Sequence, residues 1–157
     1  MSDNTNEKRT SLRDHGYVTF RIDRQWLGIP VVLIQEVFAG QTVAPVPLSG
    51  AEVHGLLNLR GQIVTAVDLR AVLGLAPRAE EAGFMNVVVQ QEDELFSLIV
   101  DEVGDVREVE EGGIEPPPAT LDPVWRSCSL GVVRMDGGLM VVLDVRVVLG
   151  REASRAA

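Results

Sequence analysis

Two stretches of this chain carry one pattern and must therefore fold alike. Gly55–Gly74 reads GLLNLRGQIVTAVDLRAVLG and Gly131–Gly150 reads GVVRMDGGLMVVLDVRVVLG, and they align without a gap. Gly55, Gly61, Asp68, Arg70, Val72, Leu73 and Gly74 recur as Gly131, Gly137, Asp144, Arg146, Val148, Leu149 and Gly150. A fainter pair precedes each copy: Val18–Val31 and Val87–Val100 are apolar runs broken by a charged turn. Duplication on this scale predicts two small barrels or sheets packed on each other, with a cleft between them. That arrangement suits a binding module better than an enzyme.

The chain has 157 residues, enough for one unit or two intimately packed subdomains. Either half alone would bury too little surface to be stable, so the halves are expected to share apolar surface. Hydrophobic residues make up 46% and aromatics only 4%, so the core must be aliphatic and rich in Val. Branched side chains in short alternating runs favour strands. A net charge of −9 argues against a phosphate-binding surface and hence against nucleic acid. The single cysteine, Cys128, excludes an intramolecular disulfide and a multi-cysteine zinc site. Without an apolar leader or a run long enough to cross a bilayer, a cytoplasmic protein with no direct membrane insertion is expected.

Along the chain, residues 1–14 read as a disordered tail, 15–151 as the folded domain and 152–157 as a frayed end. Subdomains of about 17–75 and about 84–150 follow from the repeat. Tyr17–Ile22 and Trp26–Ile29 form a hairpin turning at Asp23–Gln25. Pro30 suits the first turn of a short helix through Glu36, on which Val31, Ile34 and Val37 share a face. Gly40–Gly50 holds Pro45 and Pro47 and reads as an irregular or edge segment. Val53–Leu59 and Gln62–Val67 form a hairpin across Arg60-Gly61, and Asp68 caps one helical turn closed by Gly74. Phe84–Gln90 and Leu95–Asp101 form another hairpin, continuing irregularly through Val103, Val106 and Val109. Gly112–Pro123 is a proline-rich loop. Leu130–Met135 and Leu139–Leu143 form the last hairpin, after which Asp144 caps a final helical turn. The chain is mainly β with minor helix.

Three groups of residues together resemble one family: Gln35-Glu36-Val37, Gly55-Leu56-Leu57-Asn58-Leu59-Arg60-Gly61 and Val67-Asp68-Leu69-Arg70. The chain resembles the CheW family of chemotaxis coupling proteins, with Asp-Leu-Arg seven residues after the Asn-Leu-Arg-Gly turn. Ile99-Val100-Asp101-Glu102-Val103 and the closing Gly-Val-Val to Val-Leu-Asp run agree, so the resemblance covers Tyr17–Gly150. It implies an all-β fold of two intertwined, five-stranded barrels of the SH3 type on a shared apolar core. Departures are Thr65 where the family usually has Pro, the stretch near Gly50 where the family commonly has Pro before its Gly-x-x-Asn-Leu-Arg-Gly, and Phe38 where a polar or basic residue is common. Phe38 implies an altered partner-facing surface.

The resemblance places Glu36 and Arg60 close together, near the receptor and kinase contacts. Their alternative is a surface ion pair worth about 0–1 kcal/mol. Asn58, replaced in the second copy by Arg134, is tied either to function or to its own turn. Asp68 and Asp144 recur, and recurrence marks what the fold needs, so they read as helix caps and not as paired catalytic carboxylates. Carboxylates between Glu92 and Glu115 fit no calcium loop and read as a solvated edge. His15 and His54 have no partners implying a metal or triad, and Ser127-Cys128-Ser129 has no activating His, leaving Cys128 as a buried small residue. No catalytic constellation, metal site or cofactor is expected.

The resemblance thus implies a non-catalytic adaptor coupling a chemoreceptor's cytoplasmic tip to the regulatory domain of a CheA-type histidine kinase. The same fold in another chemosensory system, for pilus motility or gene regulation, stays open. In this reading Val31, Ile34 and Val37 line one side of a receptor-binding groove, with Val87 and Phe96 on the other.

Overall fold

The computed structural model describes residues 15–40, 53–79, 82–110 and 112–156. Within them the Val-rich alternation resolves into ten strands and three helices. They are β1 (Gly16–Ile22), β2 (Gln25–Pro30), β3 (Ile34–Ala39), β4 (Val53–Leu59), β5 (Gln62–Asp68), α1 (Leu69–Val72), β6 (Met85–Gln91), β7 (Glu94–Val100), β8 (Glu102–Glu108), α2 (Pro123–Ser127), β9 (Ser129–Met135), β10 (Gly138–Leu143) and α3 (Val145–Ala156). The strands form two five-stranded sheets, ordered β8-β1-β2-β10-β9 and β3-β6-β7-β5-β4. The expected 1–14 tail and most of the proline-bearing 40–50 segment lie outside the described residues.

The repeat survives in the hydrogen-bond register. Leu57 pairs with Val64 and Leu59 with Gln62 in one hairpin, as Val133 pairs with Met140 and Met135 with Gly138 in the other. Even the irregularities match, with a shift between Val53 and Gly55 answered by one between Val142 and Leu143. Each hairpin then joins another in parallel, β5 on the later β7 and β10 on the earlier β2. The fainter echo is equally faithful: Val18 pairs with Ile29 and Val106, Val87 with Leu98 and Val37.

The halves of the sequence are not the halves of the structure. The expected subdomains of about 17–75 and 84–150 each supply strands to both sheets. Strands β3 to β7 form a central barrel, whereas β1, β2, β8, β9 and β10 form a terminal barrel from the two ends of the described chain. The exchange happens twice, where β2 leads into β3 and where β7 leads into β8. Both successors pair with the hairpin of the opposite half, which intertwines the barrels.

Between them lies one large apolar core. Phe20, Ile22, Leu27 and Ile29 of the terminal barrel meet Val67, Val87, Val89, Leu98 and Val100 of the central one, with Leu69 and Val148 from α1 and α3. Smaller clusters fill each barrel, around Leu57, Val64, Ala66 and Ile99 in the central one and Val109, Met140 and Val142 in the terminal one. A fully buried Ser97 hydroxyl donates to Asn86 Oδ1 at 2.8 Å, so this polar pair inside the central barrel is satisfied.

Four expectations change. The helix expected from Pro30 to Glu36 is a single 3-10 turn, Val31–Leu33, and Ile34 already begins β3. Val31, Val32 and Ile34 are β-branched, and the edge of β6 offers a full ladder of backbone partners, so extended structure wins. The irregular run through Val103 and Val106 is a strand, β8, in the other sheet, bulged between its pairings at Val18 and Phe20. A short helix, α2, follows the proline-rich loop, with Pro123 at its start and the Asp122 carboxylate accepting from the Val124 N–H at 2.9 Å. The last helix runs from Val145 to Ala156, well past the single turn expected.

Candidate partner-binding site

The Asn-Leu-Arg-Gly sequence builds the tip of the β4–β5 hairpin. Arg60 and Gly61 both adopt left-handed backbone, φ 53° and 84°, as a two-residue turn matching strand twist requires. Gly61 meets no steric cost there. Asn58 Oδ1 accepts the Gly61 N–H at 2.9 Å, so Asn58 belongs to its own turn. The turn lifts Arg60 into solvent, with 79% of its side chain exposed.

Arg60 Nη2 reaches Glu36 Oε1 at 2.9 Å. Glu36 lies on β3 and Arg60 just beyond β4, and these are the two edge strands of the central sheet. The ion pair therefore bridges the seam where the barrel curls onto itself. A bridge this exposed contributes little to stability. What it does is hold a guanidinium, at a defined place, with donors still facing solvent.

Four of the five apolar candidates beside it fall on one sheet face, though not by the expected device. Ile34 pairs with Val89 and Val37 with Val87, because a bulge at Gln35 takes up one residue. Val89 in turn pairs with Phe96, so Ile34, Val37, Val87 and Phe96 share the face that meets the terminal barrel. Depth separates them. Val87 is fully buried in the shared core, while Ile34 and Phe96 are half-buried and pack against it. They do not line an open groove, because the terminal barrel already covers that face. Only the margin is open: Val31 is half-buried, Val32 is 68% exposed and Val37 is 37% exposed. Phe38 turns inward, packing on the cluster inside the central barrel, and so does not modify the outer surface as expected.

Asp68 and Asp144 behave as caps. Asp68 Oδ1 accepts from the Arg70 N–H at 3.0 Å and Asp144 Oδ1 from the Arg146 N–H at 3.1 Å. Cys128 is fully buried at the end of α2. Among the described residues no group of three or more His, Cys, Asp or Glu side chains is placed to hold a metal.

Sequence reasoning missed one cluster. Asp101, immediately after β7, accepts from Arg70 Nε and Nη2 at 2.9 and 2.6 Å and from Arg78 Nε and Nη2 at 3.1 and 2.9 Å. Its Oδ2 also accepts the Asp23 N–H at 2.7 Å. Burial raises the Asp101 pKa, but the hydrogen bonds from Arg70, Asp23 and Arg78 outweigh it and hold the carboxyl well below the usual range. The bond to Asp101 correspondingly raises the pKa of Arg70. The available signal was a carboxylate placed directly after the apolar run Leu98-Ile99-Val100.

Two intertwined five-stranded barrels, with an exposed arginine held across the seam of one of them, define the class of fold. Comparison with known proteins agrees: the CheW-like domain family matches residues 16–153. The chain belongs to the CheW-like domain family. It is 29% identical over 136 residues to the chemotaxis protein CheW of Thermotoga maritima, covering 86% of this chain and 87% of that protein. It is 27% identical over 140 residues to the CheW of Rhizobium meliloti, covering 89% and 90%. The crystal structure of the scaffolding protein TtCheW from Thermoanaerobacter tengcongensis superposes with a TM-score of 0.75 at 24% identity, over 85% of this chain and 91% of that one.

Proposed function

We propose that this protein is a non-catalytic chemotaxis adaptor that couples the cytoplasmic tip of a methyl-accepting chemoreceptor to the regulatory domain of a CheA-type histidine kinase. The observation that carries the reading is the family match across nearly the whole chain, on a fold whose internal repeat is intact in every strand pairing. The receptor helix presses on the open margin formed by Val31, Val32 and Val37, with Glu36 and Arg60 supplying a polar contact beside it. The kinase domain docks at the far end of the terminal barrel. Support for that end comes from the concave surface around the β9–β10 turn, where a cleft of about 460 Å³ is lined by Trp26, Gly104, Asp105, Met135, Asp136 and Leu139.

The protein works in the cytoplasm and reaches receptor arrays through these partners; no helix among the described residues is long and apolar enough to cross a membrane. The test is co-precipitation of the purified chain with a receptor tip and a kinase regulatory domain encoded in the same genome. Capture of both, with receptor capture weakened by Arg60→Ala and kinase capture weakened by Leu139→Asp, is expected. Capture of neither would end the adaptor reading.

A further inference from the structure

The two places where the chain passes from one barrel to the other are built differently. Position 101 in the second crossing corresponds to position 32 in the first, by the register that aligns Val87–Val100 with Val18–Val31. At the first crossing stands Val32, 68% exposed, in a 3-10 turn with no side-chain cap and no buried residue. At the second stands Asp101, whose side chain is 15% exposed and accepts five N–H groups.

Those donors come from both barrels. The Asp23 N–H belongs to the β1–β2 turn of the terminal barrel, and the Asp101 N–H itself donates to Arg21 O of that hairpin at 3.1 Å. Arg70 belongs to α1, which extends β5 of the central barrel. Arg78 belongs to the segment leading into β6, and its guanidinium lies 5.5 Å from the centre of the Phe84 ring, which packs inside the central barrel. Arg70 Nη1 donates to Ala76 O at 3.0 Å, tying that segment to the same point. One carboxylate thus joins a turn of the terminal barrel to a helix and a connecting segment of the central one.

We infer that Asp101 is a latch that sets the angle between the two barrels, and that the unlatched crossing at Val31–Leu33 is the hinge about which they turn when the latch is broken. The apolar core between the barrels cannot set that angle alone. Apolar contact is non-directional, and packed aliphatic faces can slide by small shear movements, whereas a two-sided guanidinium–carboxylate fork has one geometry.

The test is Asp101→Asn in the full chain, read by residual dipolar couplings fitted separately for the two barrels. In the parent one alignment tensor fits both. In the variant two differently oriented tensors are expected, with hydrogen-exchange protection of the Asp23 amide falling about tenfold while the β4–β5 and β9–β10 amides keep theirs. A single tensor with the parent's relative orientation would overturn the latch, as would a uniform loss of protection across both barrels. If Asp101→Asn does not fold, Arg78→Gln removes two of the five donors and is read by the same criteria.

Discussion

The central and terminal barrels share their strand order, register and bulges, yet close their seams differently. In the central barrel Glu36 and Arg60 bridge the edge strands at 2.9 Å. In the terminal barrel the corresponding residues are Asp105 and Asp136, two carboxylates that cannot pair with one another. There Arg134, standing where the central barrel has Asn58, reaches Glu115 at 3.0 Å from outside the sheet. Edge strand β9 is further covered by the chain itself, because Glu115 and Val132 exchange both backbone hydrogen bonds at 2.8 Å. Positions that the duplication left alike are those the barrel needs, such as the capping Asp68 and Asp144 and the turn glycines Gly61 and Gly137. The seam positions that diverged, Glu36 against Asp105 and Arg60 against Asp136, sit on the rims.

The crossings supply the largest expected effect. Asp101→Ala would leave the Arg70 and Arg78 guanidinium groups half-enclosed without their carboxylate, and should cost about 3 kcal/mol in chemical denaturation. Val32→Ser at the matching position should cost under about 0.5 kcal/mol, as exposed substitutions generally do. Equal losses at the two positions would break the asymmetry between the crossings.

Ile34→Asp comes next. Ile34 is half-buried against the shared core, so the change should lower stability by about 2 kcal/mol and blur any effect on receptor binding. Val37→Asp, at the exposed margin of the same face, should leave the melting temperature nearly unchanged while reducing receptor capture. Thermal melts paired with the capture assay separate the two.

The acid limb of stability sharpens the role of Asp101. Its folded-state pKa lies below the unfolded value of about 4, so its contribution is fully present above that value and lost as pH falls toward the folded one. Urea melts of the parent and Asp101→Asn at neutral pH should therefore differ strongly, and the gap should narrow only below about pH 4. A gap unchanged down to pH 2.5 would assign the stabilisation to packing instead of charge.

The seam gives the smallest change. Glu36→Ala and Arg60→Ala should each shift stability by no more than about 0.5 kcal/mol, and the double variant should show little coupling. Transplanting the pair to the other barrel by Asp136→Arg should be equally mild in stability. If that transplant abolishes kinase capture while Arg60→Ala does not, the two rims have separate partners.

Much of this architecture was legible in the residues alone. The ungapped repeat, the Asp caps and the Arg60-Gly61 turn are local matters, settled by a few neighbouring dihedrals and hydrogen bonds, and the sequence by itself determined them. So did the all-β character, since branched aliphatic alternation admits few other solutions. Tertiary structure alone decided which strands share a barrel. β3 and β8 leave their own hairpins for the opposite sheet, a choice made by edge availability and by the core that forms between the barrels. It also decided that Ile34 and Val37 share a face, because one bulged residue mimics the spacing of a helical turn. The Asp101 cluster lay beyond sequence reasoning for a related reason. Asp23, Arg70, Arg78 and Asp101 belong to separate segments, and only the packing of both barrels brings their charges and N–H groups within hydrogen-bond distance.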